Sequence, residues 1–478
     1  VIITNDGATI LKKMAVLHPC AKMLVELSAA QDIEAGDGTT SVVVLAGSLL
    51  AAAEKLLARG IHPSAIADGF IQASKEASRI LREELAIPVS LADTSALLKS
   101  ASTSLNSKVV SQYAQQIAQI AVDAVLAVVD PTIPGSIDLR DIKVVAQVGG
   151  TVDDMRLMDG LILNQRVSRA APEAPQRMEK ARIALVQFCL SPPKPDLDSQ
   201  IVVNDYSQMD RILREERAYL LNLCKRIKKA GCNVIFVQKS ILRDAVTELS
   251  LHYLAKLKIM VVSDVEREEM EFVSRSLGAR PIADIDGFTE DRLASADLVE
   301  QVDRDGAHFV HVTGIKAPRR TVSILARGAN ALVCEEAERS LHDALCVIRS
   351  LVKLPAMIGG GGAPEIALSC RLSSFAKRVG GVAAQVIEAY AEAFELLPAV
   401  LAENAGLQPV PLLTELRTRH QQGDSKASTL GINIRRGGVT CMLDENVVQP
   451  LLVSLSAVQL ASETVAMIMK IDDLIQTR

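Results

Sequence analysis

Residues 36 to 41 read Gly36-Asp37-Gly38-Thr39-Thr40-Ser41, and residues 359 to 365 read Gly359-Gly360-Gly361-Gly362-Ala363-Pro364-Glu365. Each stretch leads into a helical pattern. Glycines let backbone amides come close to an anion, and the N-terminus of the helix that follows adds a favourable dipole. Thr39, Thr40 and Ser41 add hydroxyl donors, and Asp37 offers the hard oxygen ligand that Mg2+ takes beside phosphate oxygens. Read singly, each stretch has a plainer alternative: an Asp/Gly turn capping a helix at 36–41, and a hinge or close helix packing at 359–362. Neither is a Walker A loop, since Gly-x-x-x-x-Gly-Lys-[Ser/Thr] does not occur in the chain.

Outward from these stretches the two chain ends share one texture. Helical spacing of Ala and Leu predicts helices over 20–30, 40–58 and 63–85, and again over 364–379, 382–397 and 450–477. Between them short β-rich runs, at 184–188, 233–237, 259–262, 281–283 and 321–326, alternate with helical stretches, as in an α/β layer. Prolines at 192, 193 and 195 mark an irregular segment ahead of a charged helix over 208–229, which by itself reads as a surface loop and a solvated helix.

Composition narrows the function classes. With 478 residues, 49% of them hydrophobic, the chain is expected to form about three domains. The 52 Lys and Arg against 57 Asp and Glu leave a formal charge of -5, which gathers neither nucleic acid nor an anionic membrane. The apolar stretch 42–53 is broken by Gly47 and Ser48 and falls short of the ~20 residues a bilayer span needs. Eight scattered cysteines without a C-x-x-C pair suit buried thiols in the cytosol. His308 and His311, three apart in a strand-like run, are expected to face opposite ways rather than share a metal. The chain opens at Val1 in an apparent strand, so its natural N-terminus is expected to lie upstream.

Two acidic positions have bland readings. Asn5-Asp6-Gly7 lies between Ile2-Ile3 and Ile10-Leu11, as a β-hairpin tip would. Asp343 sits opposite the apolar face formed by Leu341, Ala344, Leu345, Ile348 and Val352, which makes it a solvated carboxylate by periodicity alone.

Four motifs, in order and spanning nearly the whole chain, resemble the group II chaperonins. They are Thr4-Asn5-Asp6-Gly7-Ala8-Thr9-Ile10, Gly36 to Ser41, Gly360-Gly361-Gly362-Ala363-Pro364-Glu365 and Leu401-Ala402-Glu403-Asn404-Ala405-Gly406. Finer runs, at 213–219, 340–349 and 447–453, look most like one subunit class of the eukaryotic cytosolic chaperonin, TRiC/CCT. The resemblance implies a multidomain α and α/β chaperonin fold, like that of GroEL. A helical equatorial ATP-binding domain would comprise 1–88 and 357–478. A small α/β intermediate domain would comprise 89–159 and 322–356, and an α/β apical substrate-binding and lid domain with a helical protrusion 160–321.

It also implies roles. Asp37 would hold Mg2+, Asp343 and Asp6 would position and activate the attacking water, and Lys108 in the Asn106-Ser107-Lys108 loop would read the γ-phosphate. Gly38, Thr39, Thr40, Ser41 and Gly361 would join Asn106 and Ser107 around ATP or ADP. The segment 192–220 would become a built-in lid. Partners would be paralogous subunits in a hetero-oligomeric double ring in the cytosol, and non-native clients such as actin and tubulin, without nucleic acid or membrane. At the adenosine end, Arg435, Gln449 and Ser454 replace the Glu, Glu and Lys that relatives often carry. Those replacements keep a second reading open, a ring subunit that binds nucleotide but turns it over little. A third, a monomeric ATP-dependent metabolic enzyme, predicts the native mass of one chain.

Overall fold

Pro19 and Pro63 start helices where a missing N–H costs nothing, with His18 and His62 accepting from the first-turn amides of Cys20 and Ser64. In the computed structural model, which describes residues 2–129, 137–168, 174–192, 206–241, 243–304, 307–315, 321–422 and 427–475, the N-terminal run is mainly helical. It comprises α1 (Gly7–Lys13), α2 (Pro19–Glu34), α3 (Thr39–Ala58), α4 (Pro63–Ile80), β1 (Ile87–Pro88), α5 (Thr94–Leu105) and α6 (Ala114–Val128). A π-helical turn, Leu81–Leu85, extends α4.

The middle alternates. It runs β2 (Ile142–Val148), β3 (Arg156–Met158), β4 (Leu161–Leu163), β5 (Arg177–Val186), α7 (Tyr206–Lys229), β6 (Val234–Gln238), α8 (Glu248–Lys256), β7 (Met260–Val265), α9 (Arg267–Leu277), β8 (Ala294–Arg304), β9 (Ala307–Thr313) and β10 (Val322–Gly328). The C-terminal run returns to helices: α10 (Ala331–Lys353), β11 (Ala356–Gly359), α11 (Ala363–Val379), α12 (Gly381–Ala393), α13 (Leu396–Asn404), α14 (Pro409–Gln421), β12 (Leu430–Asn433), β13 (Gly438–Cys441), β14 (Val448–Pro450) and α15 (Leu451–Ile468).

The chain divides into two compact units. One gathers both ends, Val1–Val125, Val129–Ile137 and Glu335–Arg478, and the other holds Leu126–Val128 and Asp138–Cys334. In the first, Val42, Leu45, Leu49, Ala52, Ala53 and Leu56 form a buried stripe on α3 that packs on α15, α2 and α12. Helices α3 and α15 are long and apolar enough to match a bilayer, but both pack into this core. Tyr390 lies at its centre, its ring 5.3 Å from those of Phe70 and Phe394. Its hydroxyl shares a 2.7 Å hydrogen bond with Ser462 Oγ, so the buried phenol leaves no polar group unpaired. An antiparallel sheet of order β1-β11-β14 ties the N-terminal run to the C-terminal one, with Ile358 opposite Gln449.

The second unit is built on a six-stranded sheet of order β4-β9-β8-β5-β6-β7, in which β5, β6 and β7 are parallel and the other pairs antiparallel. Residues of α9 share a core with one face, and residues of α7 and α8 with the other. A second sheet, β2-β10-β3, completes this α/β unit.

Several local expectations need correction. Asn5-Asp6-Gly7 is no hairpin tip: Asp6 N-caps α1, accepting from the amides of Ala8 and Thr9, and Ile10-Leu11 lie in that helix. Alternation over a few residues cannot separate a strand from one helical turn, and the Asp6 cap decides it. Ile2 and Ile3 belong to no strand, and of 281–283 only Ile282 bridges, to Val186. Helix α15 ends at Ile468, short of 477. His308 and His311 lie on β9, where His308 Nδ1 meets Asp303 Oδ1 at 2.6 Å and His311 Nε2 meets the Asp159 carbonyl at 2.9 Å. All eight cysteines are free thiols. Of the segment 192–220, residues 193–205 lie outside the described residues, and 206–220 begin α7.

Candidate functional site

Helix α2 is the foundation of the first glycine-rich stretch. Ser28 and Gln31, three apart on one face, reach it: Ser28 Oγ donates to the Thr39 carbonyl at 3.1 Å, and Gln31 Nε2 donates to the carbonyls of Asp37 at 3.0 Å and Val453 at 3.2 Å. Gln31 Oε1 accepts from Ser456 Oγ at 2.9 Å, so a buried amide is satisfied while it joins α2, the loop and α15. Periodicity alone did not single out Ser28 or Gln31. Their place in register with Leu24 and Leu27, at 24, 27, 28 and 31 on one helix face, was the available signal.

Both glycine stretches end in the same device. Gly38 (φ 74) begins α3 and Gly362 (φ 79) begins α11, each in the left-handed region that favours glycine, and neither helix has a side-chain cap. The first-turn amides are therefore left without the side-chain partner that usually satisfies them. A cavity of about 120 Å3 joins the two, lined by Asp37, Gly38 and Ser41 from one stretch, Pro364 and Glu365 from the other, and Gln449 and Ser454 before and within α15. Leu45, Leu368, Phe394 and Leu397 supply apolar walls. Gln449 Nε2 donates to Ser454 Oγ at 2.8 Å, a neutral pair facing the cavity. Enclosure by protein pushes the Glu365 carboxyl up to about 7. A larger groove of about 800 Å3 over α3 and α12 contains neither glycine stretch.

Carboxylates gather near this cavity. Asp6 is held below the usual range: burial works to raise it, but hydrogen bonds from the Thr9 hydroxyl and the Thr9 and Ala8 amides, with Lys108 nearby, outweigh that. Its Oδ1 also accepts from Thr39 Oγ1 at 3.3 Å. Gly7 allows this approach, because a Cβ there would lie 2.4 Å from Thr40 Oγ1. Asp343 is not solvated as its helical phase suggested. It is 5% exposed on α10 and forms an ion pair with Lys108 Nζ. Burial drives Asp343 up to about 7; Lys108 pulls it back, while Asp37 and Asp6 push it further up. Burial would lower Lys108, but Asp343, then Asp37 and Asp6, hold it protonated above its ordinary value.

The loop after α5 delivers that lysine. Asn106 caps α5 through its amide, the Ser107 carbonyl accepts from Asn5 Nδ2 at 3.1 Å, and of the three only the Lys108 side chain enters the charged cluster. Asp37 and Ser41 line the cavity with Gly38, whereas Thr39, Thr40 and Gly361 are not among its lining residues. Gly361 (φ 65) accepts from the Ile432 amide at 2.9 Å, and a Cβ on it would meet Met442 Sδ at 2.7 Å. Arg435 is not among the lining residues and lies in the turn between β12 and β13, its amide on Asn433 Oδ1. Sequence reading missed Asp32, raised by burial and by Asp6 and restrained by His342, Lys108 and Arg349.

The charge cluster has a pH signature. An Asp raised from an unfolded value near 3.8 to about 7 carries no penalty below the first value; folded-state stability is lost as pH rises from there and levels off above about 7. The nucleotide-free Asp343→Asn chain should therefore gain in Tm relative to wild type between pH 5 and pH 8. A Tm difference that stays flat over that range would show that Asp343 does not titrate there.

The whole chain, residues 1–478, matches the TCP-1/cpn60 chaperonin family. It is 59% identical over 478 residues to the T-complex protein 1 subunit delta of Schizosaccharomyces pombe (strain 972 / ATCC 24843), covering all of this chain and 90% of that one. To the subunits delta of Homo sapiens and Arabidopsis thaliana it is 57% identical, again over its full length and 88% of theirs. Delta is also the class that the runs at 213–219, 340–349 and 447–453 most resemble. Among solved structures, the open state monomer of a group II chaperonin from Methanococcoides burtonii aligns with a TM-score of 0.68 and 30% identity, over 91% of this chain and 100% of that one. A helical unit made from both chain ends, an α/β insertion and full-length identity to delta subunits converge: the chain belongs to the TCP-1/cpn60 chaperonin family.

Proposed function

We propose that this chain is an ATP-hydrolysing subunit of a cytosolic, hetero-oligomeric double-ring chaperonin, in which ATP binding and hydrolysis close a lid over a non-native protein. The observation that carries this reading is the single cavity shared by Asp37, Gly38, Ser41, Pro364 and Glu365, with Asp6, Lys108 and Asp343 clustered by charge beside it. The uncapped N-termini of α3 and α11 offer amides to phosphate oxygens.

The donors fit Mg2+. Mg2+ bound beside phosphates takes one or two carboxylates, and Asp37 faces the cavity, although no group of three or more His, Cys, Asp or Glu among the described residues could hold a metal without the nucleotide. Asp37 would hold the ion, which when bound neutralises charge on the phosphates. Asp6, fixed by three hydrogen bonds from Thr9 and Ala8, is a rigid acceptor for the attacking water. Asp343 orients that water from α10, and Lys108 supplies a point charge for a terminal phosphate. The three-part division at 1–88 and 357–478, 89–159 and 322–356, and 160–321 is part of the same proposal. So is a lid that includes residues 206–220 of α7, where Tyr206, Met209, Leu213 and Tyr219 are exposed.

The neutral Gln449–Ser454 pair favours a second reading, a subunit that keeps nucleotide and contributes scaffold and client surface with little turnover. Sedimentation of the native protein tests the common part of both. A megadalton-scale ring that retains nucleotide in a Mg2+-dependent manner is expected, and a species with the mass of one chain would overturn the assignment.

A further inference from the structure

Helix α10 presents a second, unassigned set of contacts to the base of the Gly36–Ser41 loop. Asp343, Cys346, Ser350 and Lys353 follow one another at spacings of three, four and three, with Arg349 beside them, so all lie on the side of α10 away from its apolar face. Their partners are consecutive. Arg349 Nη2 donates to the carbonyls of Ile33 at 2.9 Å and Glu34 at 3.1 Å, Ser350 Oγ donates to the Ala35 carbonyl at 3.2 Å, and Lys353 Nζ lies 3.5 Å from Glu34 Oε1. Cys346 closes on Gly36: a Cβ built on that glycine would stand 2.1 Å from Cys346 Cβ.

The carbonyls of Ile33 and Glu34 end α2 and have no acceptor role within it, since the amides of Ala35 and Gly36 both return to Gln31. A guanidinium there satisfies two orphan acceptors at once and meets the negative end of the helix dipole. One residue further, Gly36 (φ 69) turns the chain into Asp37. The helix that bears Asp343 is thus bonded to the segment from which Asp37 springs, six residues along α10 from Asp343 itself.

We propose that Arg349 is a positioning residue for hydrolysis, clamping α10 to the carboxyl end of α2 so that Asp343 and Asp37 are held in one frame. It touches neither the cavity nor the carboxylates by hydrogen bond. Its loss alters the distance between the water-orienting carboxylate and the phosphate loop, while the groups that grip nucleotide stay in place. Misplacement of a reacting group by about 1 Å can cost roughly 100-fold in rate, so a loosened clamp acts on kcat and spares KM.

The inference rests on the proposed roles of Asp343 and Asp37, and the experiment separates the two. Assembled complexes carrying Arg349→Met, Arg349→Lys or Asp343→Ala in this subunit are photolabelled with an azido-ATP, and ATP-to-ADP conversion is followed on the isolated subunit across ATP concentrations. Arg349→Met should lower kcat about 10- to 100-fold at unchanged KM, and Arg349→Lys, which keeps the charge and one donor direction, should recover part of it. If Arg349→Met does not assemble, Ser350→Ala reads the same contact, with an expected loss of about threefold in kcat at constant KM. Unchanged kcat in the assembled variants, or a rise in KM alone, overturns the clamp when Asp343→Ala abolishes turnover. If Asp343→Ala itself turns over normally, the site reading fails and the clamp fails with it.

Discussion

Asp343→Ala should leave this subunit loaded with ATP that it does not hydrolyse. A carboxylate 5% exposed, paired with Lys108 and pushed up to about 7, has its proton affinity set by burial and by neighbouring charge, as groups that handle protons near neutral pH require. Loss of such a group typically costs roughly 10²–10⁴-fold in rate. Binding should survive, because the cavity lining includes Asp37, Gly38, Ser41, Pro364 and Glu365 but not Asp343. The measurement is the ADP-to-ATP ratio on this subunit after a single turnover of purified complex. Wild-type conversion by the variant would remove Asp343 from the mechanism. ADP that persists in wild type and variant alike would instead favour the low-turnover reading suggested by the Gln449–Ser454 pair.

Asp37→Ala should act one step earlier, on binding itself. Asp37 faces the cavity together with Glu365; its backbone is fixed by the Gln31 bond to its carbonyl and its side chain by the bond from the Gly38 amide to its Oδ1 at 2.7 Å. Outer partners of a metal usually contribute roughly 10- to 100-fold in affinity, so removal of a ligand oxygen should weaken Mg2+-dependent nucleotide binding by about 100-fold or more. Titration of the variant with Mg2+ at fixed nucleotide, read by nucleotide fluorescence, gives the affinity. A variant whose binding remains as Mg2+-dependent as wild type would place the ion elsewhere. With binding expected to survive in Asp343→Ala and to weaken in Asp37→Ala, the two variants would separate the proposed metal-holding role from the proposed water-orienting one.

Much of this was legible in the chain. Helical spacing on both ends located α2, α3, α4 and α11 to within a few residues, because a buried face repeats every 3.6 residues whatever it packs against. The α/β character of the middle followed from short β-branched runs, and the strands formed at β5, β6, β7 and β10. The order of the motifs identified the family, which full-length identity to delta subunits bears out.

Tertiary structure decided what spacing cannot express. Helical phase placed Asp343 away from the apolar face of α10, which on a lone helix means water; here that face meets Lys108 and the end of α2, so the same phase buries it. Asn5-Asp6-Gly7 carried a turn signal that is realised as a helix cap, since the amides of Ala8 and Thr9 lie within reach of the Asp6 carboxylate. Arg349 gave no local signal, because its partners, the carbonyls of Ile33 and Glu34, lie hundreds of residues away in sequence, and the polar side chain of Gln31 could not by itself point to Val453. Neighbours along the chain settled where most helices and the strands β5, β6, β7 and β10 form, and where an anion could meet a helix end, since these follow from local spacing and composition. That Asp37, Glu365 and Gln449 surround one cavity, and that Asp6 and Asp343 share one field with Lys108, was decided only when β1, β11 and β14 paired and α2, α3 and α15 packed, because long-range contacts bring those charges together.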